Sequence, residues 1–105
     1  MDLQALTICI AGLMNLPAPQ FPAAVTEVGG EQLQEICSGA SQSNRRRIFG
    51  CYLPRSRQIY IDGDRVGKHE TLAHEIAHDI DTMADAELEH DKIYWVGRKA
   101  EVWCR

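Results

Sequence analysis

The run KHETLAHEIAHDID, Lys68 to Asp81, limits the fold more than any other stretch of the chain. Leu72, Ile76, Ile80 and Met83 recur at helical spacing around it, which predicts a helix from about residue 66 to 83 with one apolar face and one polar face. That face needs a partner layer. Upstream, RIFGCYLPRSRQIYIDGD reads as two β-rich runs, 47–53 and 57–62, joined through Pro54-Arg55-Ser56 as a hairpin. Leu3, Leu6, Ile10, Leu13 and Met14 give an N-terminal helix over 2–14, which the prolines of NLPAPQFP end. AAVTEV, 23–28, is a short strand, EQLQEIC, 31–37, a short helix, and SGASQSN, 38–44, a loop by composition. A last helix is expected from about Asp91 to Arg105, with Ile93, Val96, Ala100 and Trp103 or Cys104 turned inward. The expectation is an α+β class domain: a short antiparallel sheet of about three strands packed on helices.

With 105 residues, 45% apolar and 25% charged, the chain suits one domain spanning 1–105, without repeats or linkers. A formal charge of −4 argues against nucleic-acid binding, and the one basic cluster, Arg45 to Arg47, reads as a solvated turn. The apolar N-terminal run is too short to span a bilayer and lacks the basic start of a signal peptide. A cytoplasmic monomer without membrane contact follows as the expectation. Cys9, Cys37, Cys51 and Cys104 show no C-x-x-C spacing, so free thiols are expected, with three full disulfide pairings open if the chain is exported.

His74 and His78 are four apart, so both imidazoles lie on one helix face and can reach one ion. Glu75 is turned about 100° from His74 and can approach a water on that ion without displacing a histidine. This is the H-E-x-x-H arrangement. Zinc in such a site activates water and polarises a carbonyl, and the glutamate serves as general base. Solvated histidines without metal are the plain alternative. A third protein ligand must fold back from elsewhere. The downstream donors are Asp85, Glu87, Glu89, Asp91, Glu101 and Cys104, while His69 is off the register of the pair and His90 reads as a surface histidine in a polar connection.

The metzincin pattern does not fit, since Asp81 stands at the glycine position and Ala84 at that of the third histidine. The gluzincin pattern, in which a glutamate of a later helix completes the site, matches Glu101 in YWVGRKAEVWCR, where Gly97 would let that helix pack closely on the His74 and His78 helix. In these residues and in its order of elements the chain resembles the minigluzincins, single-domain zinc peptidases of minimal size, and related small bacterial H-E-x-x-H proteins. The resemblance implies a zincin-like metallopeptidase domain with one Zn2+ per chain on His74, His78 and Glu101, and Glu75 as catalytic base. It implies that strand 57–62 is a sheet edge along which an extended peptide or protein substrate pairs. Tyr94, Arg98, Tyr60 and His90 are the candidates to stabilise the oxyanion. Asp62, Asp64, Asp79, Asp81 and Asp85 hint at basic substrates. No subdomain follows Glu101, so a zinc-stabilised binding or regulatory module of little turnover is the alternative function.

Overall fold

The computed structural model describes residues 2–38 and 47–105. SGASQSN beyond Ser38, together with Arg45 and Arg46, lies outside them. Four helices and three strands follow in the order α1 (Leu3–Met14), β1 (Ala24–Val28), α2 (Gly30–Cys37), β2 (Gly50–Leu53), β3 (Gln58–Asp62), α3 (Lys68–Ala84) and α4 (His90–Trp103). The class is α+β, as the patterning predicts. The Asp2 carboxylate caps α1 by accepting the Ala5 N–H at 2.7 Å, and Asn15, in the left-handed region, closes it.

The sheet order is β1-β3-β2, with β3 antiparallel to β2 and parallel to β1. Two expectations are corrected here. The sheet is mixed, not purely antiparallel, and strand 57–62 is its centre, not an edge. Both sides of β3 are taken up by ladders, so its main chain has no free row of donors for a peptide. Among the described residues, the unpaired edge beside α3 belongs to β2. Phe49 O accepts the Asp62 N–H at 3.0 Å, and the alternation of an antiparallel ladder from that bond turns the N–H and C=O groups of Gly50 and Tyr52 outward.

Strand alternation distributes β3 between two cores. Ile59 and Ile61 join Leu6, Ile10, Ala73, Ile76, Ala77, Ile80, Ile93, Val96 and Ala100 in the core formed with α1, α3 and α4. Tyr60 points the other way, to Leu33, Cys37 and Cys51 beneath α2. The cysteines are bridged, Cys9 to Cys104 and Cys37 to Cys51, which corrects the expectation of free thiols. One bridge ties α1 to the end of α4, and the other ties α2 to β2. Among the described residues no helix is long and apolar enough to cross a membrane.

Asp79, next to His78, is completely buried and is held by three donors. Tyr52 Oη at 2.6 Å and Arg57 Nε at 3.0 Å reach its Oδ1, and Arg57 Nη2 at 2.8 Å reaches its Oδ2. Arg57 Nη2 also donates to Phe21 O at 2.8 Å. A buried carboxylate is tolerable only with its lone pairs satisfied, so this cluster fixes α3 against the β2–β3 hairpin.

Candidate metal centre

α3 carries the motif as its spacing requires. Ala73, Ile76, Ala77 and Ile80 are buried in the core, and the adjoining face brings the Nε2 atoms of His74 and His78 to 3.1 Å. Two nitrogens about 2.0–2.1 Å from a tetrahedral ion lie about 3.3 Å apart, so the pair already has the separation that one shared cation demands. The α3–α4 connection then returns the chain over this face. His90, the first residue of α4, places its ring 5.2 Å from that of His74 and 5.3 Å from that of His78. The three histidines offer ligand atoms all within 4.8 Å of one another, a group that could hold a metal ion.

Glu101 is elsewhere. Gly97 faces His74, so an added Cβ would lie 3.1 Å from His74 Cβ and 3.3 Å from its N. The close helix approach anticipated from that glycine is therefore present. Because α4 runs back along α3, Glu101, one turn beyond Gly97, reaches the start of α3, where its Oε2 accepts from His69 Nδ1 at 3.0 Å and its Oε1 lies 3.5 Å from Arg105 Nη2. The geometric third donor is thus His90, in place of the expected glutamate. Glu101 and His69 form a pair of their own.

Electrostatics favour ligation. Burial, then the neighbouring His78 and His90, lowers the His74 pKa from 6.5 to about 4. Burial, then His90, also lowers that of His78, with Asp81 opposing. Both rings are therefore neutral at neutral pH, the state in which an imidazole nitrogen has a lone pair to give. Glu75 is 7% exposed, and burial raises its pKa from 4.5 to about 7. A nearby cation would pull it down again.

Glu75, His74 and His90 line a cleft of about 340 Å³, together with Tyr94 and Gly97 of α4, Thr71 of α3, and Phe49 and Arg65. Of the three further candidates for substrate or oxyanion contacts, Tyr94 lines the cleft, with its ring 5.7 Å from that of His74. Arg98 is exposed on α4 and is not a lining residue, and Tyr60 faces α2 across the sheet. The acidic residues that hinted at basic substrates are largely engaged in structure. Asp79 pairs with Arg57, Asp62 accepts the Asp64 N–H, and Asp81 accepts the Leu88 N–H. His90 was missed because the residues before it are polar. The usable signal was the shortness of the connection, which obliges the start of α4 to lie beside α3.

No protein-family model matches the chain, and no curated protein or solved structure is significantly similar to it.

Proposed function

We propose that the chain is a zinc-dependent peptidase that holds its metal with His74, His78 and His90 and uses Glu75 as general base. The observation that carries this reading is the convergence of three imidazoles within 4.8 Å beside a buried glutamate that opens on the same cleft. Three imidazole donors beside an open cleft would suit a catalytic zinc better than a closed structural one. When bound, the ion supplies Lewis acidity toward a carbonyl and toward water. Glu75 takes the proton of the attacking water and returns it to the departing amine. Tyr94, which lines the cleft, would donate its O–H to the developing oxyanion. The outward N–H and C=O groups of Gly50 and Tyr52 offer an extended peptide a strand to pair with, a role that β3 cannot fill.

Two disulfides in so small a chain fit an oxidising compartment better than the cytoplasm. The test is a peptide library cleaved with and without chelator. The parent should cut and should carry one zinc per chain, while Glu75→Gln should retain zinc and lose cleavage by at least 100-fold. Undiminished cleavage by Glu75→Gln refutes the mechanism. Stoichiometric zinc with no cleavage by the parent leaves the metal-stabilised binding module as the reading.

A further inference from the structure

His90 is the member of the histidine group that α3 does not itself fix. It is exposed, and it follows a connection, 85–89, in which Asp85 at φ 50° and Glu87 at φ 52° both lie in the left-handed region. Non-glycine residues there cost of order 1 kcal/mol or more each, so the connection keeps its path only where other contacts outweigh that cost. Those contacts converge on one residue. The Asp81 carbonyl accepts the N–H groups of Asp85 and Ala86, the latter at 3.1 Å. Asp81 Oδ1 accepts the Leu88 N–H at 2.9 Å, two residues before His90, and the Leu88 side chain packs on the main core.

The carbonyl bonds would form with any residue at position 81. The bond to Leu88 needs a side-chain acceptor, and it is the last anchor before the ligand. Asp81 is three residues after His78, so its carboxylate lies on the ligand-bearing side of α3. Where a helix-breaking glycine would end α3, this chain continues the helix to Ala84 and uses the aspartate side chain to catch the returning strand of chain.

We infer that Asp81 is a positioning residue of the metal centre: by accepting the Leu88 N–H it folds the 85–89 connection so that His90 meets His74 and His78. The inference rests on the reading that these three histidines hold the metal. Its readout is zinc affinity, measured by competition with a chromophoric chelator on variants whose folding is checked by circular dichroism. Asp81→Ala removes both the acceptor and the charge, and should weaken zinc binding about 10- to 100-fold, the range typical of residues that orient ligands. Asp81→Asn keeps an oxygen acceptor without the charge, and should stay within about threefold of the parent.

Combining Asp81→Ala with His90→Ala should cost no more than His90→Ala alone, because the aspartate acts through the histidine. If Asp81→Ala does not fold, Asp81→Leu, of similar size and with no acceptor, withdraws it in its place. Parent-like affinity in Asp81→Ala, or a loss in Asp81→Asn equal to that in Asp81→Ala, overturns the inference while the histidine assignment stands. Parent-like affinity in His90→Ala overturns the assignment itself, and the role of Asp81 with it.

Discussion

Gly97→Ala isolates the packing on which a centre shared between α3 and α4 depends. The new methyl carbon would stand 3.1 Å from His74 Cβ, 3.2 Å from its Cα and 3.3 Å from its N, and two of these three atoms are backbone that no rotamer change can withdraw. Carbon atoms rest at about 3.5–4.0 Å, so the helices must separate by roughly half an ångström. Overpacking of this kind costs about 1–3 kcal/mol, against a gain of about 1 kcal/mol from replacing glycine by alanine in a helix.

Gly12→Ala in α1 is the control, since its methyl would meet nothing within 4 Å and should show only the gain. The two variants should differ by about 1–3 kcal/mol, which in a domain of this size is roughly 4–24 °C in melting temperature. Because His74 is on one helix and His90 on the other, the same displacement should weaken zinc binding about tenfold or more in Gly97→Ala and not in Gly12→Ala. Metal-free thermal melts and chelator competition measure both effects. Equal melting temperatures for the two variants would refute the claim that Gly97 sets the helix spacing.

Two other perturbations probe the scaffold. Protein made under oxidising conditions and then unfolded without reductant should titrate no thiol, and reductant should release all four. By chain entropy, loss of Cys9–Cys104, with a separation of 95 residues, should cost about 4–5 kcal/mol, and loss of Cys37–Cys51, separated by 14, about 3 kcal/mol; the reverse order in denaturant melts of the serine variants would count against that account. Burial, the hydrogen bond to Asp79 and its negative charge all raise the Tyr52 pKa above its ordinary value of 10.0. The fold thus prefers the neutral phenol. Its contribution is whole below pH 10.0 and is lost as pH rises further, so the parent should lose stability above that point faster than Tyr52→Phe, and parallel curves would exclude the effect.

What the sequence disclosed and what it withheld divide along the range of the interaction. The His74 and His78 pair, its apolar flank and the closeness at Gly97 are set by helical period and by the lack of a side chain, so they can be read within one or two turns of chain. The position of β3 at the sheet centre is different, because the QIYID run has the same alternation at an edge as in the middle. Its place depends on β1 pairing with it across about thirty residues, which no local pattern encodes. The cysteine pairings are equally non-local, for they join α1 to the end of α4 and α2 to β2.

The choice between Glu101 and His90 turned on helix register, and there the length of the connection carried more information than the type of donor. Only residues 85–89 separate α3 from α4, so α4 must run back beside α3 from its first turn. Once His90 is beside His78, a residue eleven positions further along an α-helix is about 16 Å away along the axis, too far for a carboxylate to share the same ion. Glu101 then falls beside His69, where it is found. The polar look of ADAELEHD concealed this because its order comes from main-chain bonds to Asp81, the Asp81 carboxylate and the single apolar anchor Leu88, and none of these requires an apolar stripe. A polar connection between antiparallel helices can therefore keep a defined path without an apolar stripe, where one side chain of the preceding helix accepts its backbone.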